Sequence, residues 1–150
     1  MAEALIALGS NVGDREGHLR FAVERLGGLG RVTGVSSWHE TAPVGYLEQG
    51  LFLNGAVALE TELEPEELMG ALLGIEAERG RERGVANGPR TLDLDLLMYG
   101  DRVMDVPGLT LPHPRMHERG FVLGPLVEVA PEAVHPVLGL TVRALWGRIG

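Results

Sequence analysis

Two aspartates separated by a single residue, Asp93 and Asp95, are the side chains in this sequence whose type and spacing most suggest chemistry. They lie in Arg90-Thr91-Leu92-Asp93-Leu94-Asp95-Leu96, where acidic and apolar residues alternate. Successive side chains of a β-strand face opposite ways. The pattern therefore predicts both carboxylates on one face and Leu92, Leu94 and Leu96 on the other. Carboxylates so placed stand roughly 7 Å apart along the strand. They suit Mg²⁺, which takes few protein carboxylates and completes its shell with substrate phosphates and water. A half-exposed strand with an acidic outer face and no ligand has the same pattern. The neighbouring cations favour chemistry: Arg81, Arg83 and Arg90 come just before, and His113, Arg115, His117 and Arg119 follow. Acids for metal with arginines for phosphate are what phosphoryl transfer requires.

A second constellation is Phe52-Leu53-Asn54. Strand alternation puts Phe52 and Asn54 on one face. An aromatic plate beside an amide suits a flat heterocycle, since the ring stacks and the amide offers a donor and an acceptor to its edge. A core Phe with an Asn bonded to backbone has the same spacing. A third runs from Leu111-Pro112-His113-Pro114 to Arg119-Gly120-Phe121. His113 and His117 have the spacing of zinc ligands on a helix, but Pro114 argues against a regular helix through His113. A phosphate contact or a structural role for His113 remains open, and Phe121 reads as a second ring plate or as core. Ala7-Leu8-Gly9-Ser10-Asn11 matches neither a Walker loop nor a dinucleotide fingerprint, and reads as a glycine turn from strand to helix. The three serines, Ser10, Ser36 and Ser37, lie in no nucleophile-elbow pattern.

The elements that position these residues follow from periodicity. Glu3 to Leu8 reads as a strand. Asp14 caps a helix with apolar positions Leu19, Ala22, Val23 and Leu26. Arg31 to His39 and Leu51 to Glu62 read as strands around a Thr41–Gly45 loop. A second helix starts near Pro65, with Glu66 and Glu67 in its first turn and Leu68, Ala71, Leu72 and Ile75 on its apolar face. Glu78 to Pro89 reads as a mobile loop, Leu92 to Tyr99 as a strand, and Arg102 to Met104 as a segment pairing back onto it. The tail reads as short helices, ending with Val142, Leu145, Trp146 and Ile149. The order β-α-β-β-α-β predicts an α+β, ferredoxin-like sandwich: an antiparallel sheet, both helices on one face, the other face free for a site, and C-terminal additions.

Composition narrows the function further. A chain of 150 residues with 45% apolar content can bury a core as a single domain. Cysteine is absent, which excludes disulfides, thiolate nucleophiles and Cys-ligated zinc. All 13 basic residues are arginine, so a Walker A lysine and Schiff-base chemistry are excluded and side-chain phosphate contacts fall to Arg. A net charge of −8 argues against a nucleic-acid partner. Without an apolar run of membrane-spanning length or a leader pattern, the expectation is a cytoplasmic protein, not membrane-bound, monomeric or at most dimeric, acting on small molecules.

Taken together these segments resemble the 6-hydroxymethyl-7,8-dihydropterin pyrophosphokinases. The similarity runs through Gly9-Ser10-Asn11, Val35-Ser36-Ser37, Thr41-Ala42-Pro43-Val44-Gly45, Phe52-Leu53-Asn54 and Ala56 to Thr61. It continues with Ile75-Glu76, Gly88-Pro89-Arg90-Thr91-Leu92-Asp93-Leu94-Asp95, Pro112-His113 and Arg119-Gly120-Phe121. The resemblance implies transfer of the β,γ-diphosphate of ATP to the pterin hydroxymethyl oxygen, with two Mg²⁺ and release of AMP. It implies that Asp93 and Asp95 hold the metals and, with Arg81 and Arg90, carry the catalytic step. It implies ATP contacts from Glu76, Arg81, Arg83, Arg90, Thr110, His113 and Arg119. Pterin contacts would come from Thr41, Pro43, Val44, Phe52, Asn54 and Phe121, the two phenylalanines sandwiching the ring. Asn87 stands where many relatives carry Trp, Phe52 where Tyr is common, and Pro114 where an aromatic is often found. A metal-dependent phosphoesterase and a non-catalytic ligand-sensing module are the competing readings.

Overall fold

Two apolar faces organise the sheet. The computed structural model describes residues 1–41, 51–79 and 91–149. Its main sheet contains β1 (Ala2–Ser10), β2 (Arg31–Val35), β3 (His39–Thr41), β4 (Phe52–Thr61) and β5 (Asp93–Tyr99). The strand order is β2-β4-β1-β5, with β3 also paired to β4, and every pairing is antiparallel.

Helices α1 (Arg15–Leu26) and α2 (Pro65–Glu78) cover one face. Asp14 caps α1 by accepting the Gly17 N–H at 3.1 Å, and Pro65 opens α2. Leu19, Ala22 and Leu26 of α1 and Leu68, Leu72 and Ile75 of α2 pack on Ala4, Ile6, Leu8, Val57, Leu59, Leu94 and Leu96. Truncating a core leucine here to alanine costs about 2–5 kcal/mol.

The second face is not left free, as the sequence pattern suggests. Leu5, Ala56, Ala58, Leu97 and Met98 project from it and need cover. The cover comes from α3 (Gly120–Val129) and α4 (Val142–Ile149), through Val122, Leu123, Leu126, Val142 and Leu145. Towards Gly9 this face turns polar, with Asn54 and Asp93 paired to Gly9, and at the opposite end it carries Glu3 and the Arg31–Glu60 ion pair.

Other expectations are also corrected. Gly9 and Ser10 belong to β1, and the turn begins beyond them, with Gly13 at φ +71°. The stretch from Arg31 to His39 is two strands. Between them the Ser36 hydroxyl accepts the Ala56 N–H at 2.9 Å, and the Trp38 ring fills space that a side chain at Gly55 would occupy. The segment after Tyr99 does not return to β5. It forms a separate hairpin, β6 (Met104–Val106) with β7 (Leu109–Leu111). Pro107 and Gly108, the latter at φ +84°, meet the demands of a type II turn between them.

Candidate active site

Cross-strand pairing assembles the site in rows. Gly9 is paired with Asn54 on one side and Asp93 on the other, and His39 is paired with Asn54. The next row is Ala56, Ala7 and Asp95. Directly paired residues share a face, so Asp93 and Asp95 project together, away from α1 and α2. Both are half-buried, while Leu92, Leu94 and Leu96 are buried under the helices. Between the acids and Asn54 the sheet surface is Gly9 and Ala7, leaving a shallow floor roughly 10 Å wide across three strands. A Cβ at Gly9 would stand 3.1 Å from the Asn54 Oδ1 and 3.7 Å from the Phe52 ring.

Asn54 and Phe52 form the other wall. Phe52 is paired with Thr41 and is half-buried. Asn54 is buried, and its Nδ2 donates to the Thr41 hydroxyl at 2.5 Å. Thr41 thereby fixes the amide with its Oδ1 on the Gly9 side. Pro43, Val44, Arg81, Arg83, Asn87 and Arg90 lie outside the described residues, as does most of the expected loop from Glu78; Glu78 itself ends α2.

The segment after β7 borders the acids. The His113 N–H donates to the Leu97 carbonyl at 2.8 Å, pinning this turn to β5. Its Nδ1 accepts the Arg115 N–H at 3.2 Å, which makes Nε2 the nitrogen able to donate to a ligand. Burial pushes the His113 imidazole below its ordinary pKa. Arg119 and Arg115 push the same way and Asp93 opposes them, so His113, Arg119 and Asp93 share one electrostatic neighbourhood. The Arg119 guanidinium carbon lies 5.5 Å from the centre of the Phe121 ring. Residues 116–118 form a single 3-10 turn, and His117 turns to His135, their ring centres 6.0 Å apart. No regular helix therefore runs from His113 to His117 to present the two imidazoles as the zinc reading requires.

Two expected nucleotide contacts have partners within the protein. Glu76 is buried, and its Oε2 accepts the Leu94 N–H at 2.7 Å on the open edge of β5, between the two aspartates. Thr110 is exposed on β7 and donates to Asp105 Oδ1 at 3.2 Å. The sequence reading missed Gly9 as site floor and Glu128, which binds Ser37 and His39. Gly9 was legible as a small residue, but only its two strand partners give it meaning.

Among the described residues no group of three or more His, Cys, Asp and Glu is arranged to hold a metal. A two-carboxylate donor set over small residues does not fit zinc. It fits Mg²⁺, whose remaining ligands are phosphates and water. The arrangement as a whole suits phosphoryl transfer to a flat ring: acids for metal at one end, a ring plate and amide at the other.

Comparison with known proteins gives the class. Residues 5–131 match the family described as 7,8-dihydro-6-hydroxymethylpterin-pyrophosphokinase. The chain is 51% identical over 131 residues to 2-amino-4-hydroxy-6-hydroxymethyldihydropteridine pyrophosphokinase of Bacillus subtilis, covering 86% of this chain and 78% of that one. It is 46% identical over 134 residues to the mitochondrial folate synthesis bifunctional protein of Arabidopsis thaliana, covering 88% of this chain and 24% of that one. The fold matches the Plasmodium falciparum HPPK-DHPS crystal structure with a TM-score of 0.76 at 17% identity, over 99% of this chain and 44% of that one.

The chain belongs to the 7,8-dihydro-6-hydroxymethylpterin-pyrophosphokinase family. It is a pyrophosphokinase of folate synthesis that transfers diphosphate to 6-hydroxymethyl-7,8-dihydropterin, with ATP as cosubstrate. That membership sets aside the phosphoesterase and sensing readings.

Proposed function

We propose that the transfer takes place on the Gly9 end of the second sheet face, with the triphosphate over Asp93 and Asp95 and the pterin between Phe52 and Phe121. The observation that carries this reading is the row Asn54, Gly9, Asp93: an amide, a bare floor and a carboxylate on one face.

Asp93 and Asp95 hold the magnesium, two ions in this reading. Bound there, Mg²⁺ supplies charge neutralisation at the triphosphate oxygens and polarises the phosphorus under attack. His113 through Nε2–H and Arg119 through its guanidinium meet phosphate oxygens, joined by Arg81, Arg83 and Arg90. Glu76 and Thr110 border the nucleotide. Phe52 and Phe121 stack on the pterin, Asn54 bonds its edge, and Thr41, Pro43 and Val44 complete its rim. The pterin hydroxymethyl oxygen bonds to the β-phosphorus, the bond between that phosphorus and the α,β-bridging oxygen breaks, and AMP leaves. The alcohol proton passes to an Asp93 or Asp95 oxygen or to solvent. A loose transition state needs no strong base, so catalysis here is positioning and electrostatics.

The sheet order, with α1 and α2 on one face, supports a ferredoxin-like layout in a single domain. Among the described residues no helix is long and apolar enough to cross a membrane. A cytoplasmic monomer acting on small molecules is the reading we adopt.

The test is to incubate the chain with ATP, Mg²⁺ and 6-hydroxymethyl-7,8-dihydropterin and follow AMP. AMP formed only when the pterin is present supports the reading. ADP or phosphate release independent of pterin contradicts it.

A further inference from the structure

A carboxylate at the far end of α3 ties together the two elements that carry the ring plates. Glu128 Oε1 accepts the Ser37 N–H at 2.8 Å, and the Ser37 hydroxyl lies 2.9 Å from both carboxylate oxygens. Oε2 also pairs with His39 Nε2, which is itself 3.3 Å from the Ser37 hydroxyl. Burial alone would raise the Glu128 pKa, but the bonds from Ser37 and His39 hold it below the ordinary value.

The geometry links this cluster to the site. Ser37 and His39 lead into β3, whose His39 and Thr41 are paired with Asn54 and Phe52. Phe121 and Glu128 lie about two helical turns apart, on one side of α3. Gly124, between them, is packed on His39: a Cβ there would lie 3.4 Å from its Nδ1. The helix therefore runs against the direction of β3, from Glu128 at Ser37 to Gly124 at His39. Continued by one turn, that register carries Phe121 towards the Thr41 and Phe52 end. Pro125 lies within α3 and has no N–H for the Phe121 carbonyl, so the helical ladder does not hold the first turn at that point.

We propose that Glu128 is a positioning residue for the pterin: by grasping Ser37 and His39 it sets α3 over β3 and β4, and so fixes the gap between Phe121 and Phe52. Apolar contacts such as those of Leu123 and Leu126 are non-directional and tolerate sliding. A carboxylate held by several donors is directional and fixes one register. The proposal rests on the reading of Phe52 and Phe121 as the pterin walls.

The experiment is calorimetry on the full chain and on Glu128→Ala and Glu128→Gln. One titration uses 6-hydroxymethyl-7,8-dihydropterin in the presence of a non-hydrolysable ATP analogue and Mg²⁺. The other uses the analogue with Mg²⁺ alone. Glu128→Ala should weaken pterin binding about tenfold and nucleotide binding by less than about twofold. Glu128→Gln, which keeps an acceptor for the Ser37 N–H, should recover most of the loss. Ser37→Ala removes only the hydroxyl contacts and gives a second reading should Glu128→Ala fold poorly, with an expected pterin-specific loss of about threefold. Phe121→Ala and Glu128→Ala combined should lose less than the sum of the single effects, because no ring is left to position. Unchanged pterin affinity in Glu128→Ala, or equal losses for pterin and nucleotide, would overturn the role while leaving the site reading intact. A wild-type chain that binds no pterin would overturn the reading of the rings, and this role with it.

Discussion

Gly9 and Asn54 face each other across the β1–β4 ladder, and a methyl group added at Gly9 would stand 3.1 Å from the Asn54 Oδ1. The contact is tight without being prohibitive, and Gly9 is not among the glycines at positive φ. Alanine is therefore compatible with the backbone, and its cost falls on the space beside Asn54. Gly9→Ala should lower pterin affinity about tenfold or more while shifting Tm by only a few degrees. Calorimetry and a thermal melt decide it: full pterin affinity would remove Gly9 from the floor of the site.

Glu76 and Leu94 hold the strand between the two aspartates. Glu76→Ala strands a buried N–H, which costs about 1–3 kcal/mol. Glu76→Gln keeps an acceptor at the same reach and should cost less. Denaturant midpoints for the two variants test this, and equal stability of the alanine variant and the parent would contradict it.

His135 makes stability depend on pH. It is buried, and its Nδ1 accepts the N–H groups of Val137 and Leu138 at 3.3 and 3.0 Å. Burial, helped by His117, holds its pKa below the ordinary 6.5. Between the folded value and 6.5 the unfolded chain binds a proton that the folded chain does not. Stability from this group is thus complete above 6.5 and is lost as pH falls through the folded pKa. Tm measured against pH should fall across that window in the parent and fall less in His135→Gln. Parallel profiles for the two proteins would refute the assignment.

Much of this was legible because one rule, alternation along a strand, governs Leu92 to Leu96 and Phe52 to Asn54. The helices were legible because Leu19, Ala22 and Leu26, and Leu68, Leu72 and Ile75, repeat at helical spacing. What the pattern hid was non-local. The apolar set Leu5, Ala58 and Met98 demands cover, but nothing in one strand says that α3 and α4 supply it. The strand break at Ser36 depends on a hydroxyl bonded to Ala56, twenty residues on. Glu128 acquires its partners across 91 and 89 residues of chain, beyond the reach of any periodicity.

The proposed chemistry depends above all on Asp93 and Asp95, sharing one face of β5, holding magnesium against the triphosphate. The direct test is Asp95→Asn, near-isosteric and so able to keep the fold, assayed for AMP formation over a range of Mg²⁺ and, by calorimetry, for pterin binding. If the two carboxylates hold the metal, turnover falls by at least about a thousandfold, a loss of about 4 kcal/mol of transition-state stabilisation, with pterin binding still measurable. Turnover near that of the parent, with the same Mg²⁺ dependence, would contradict it.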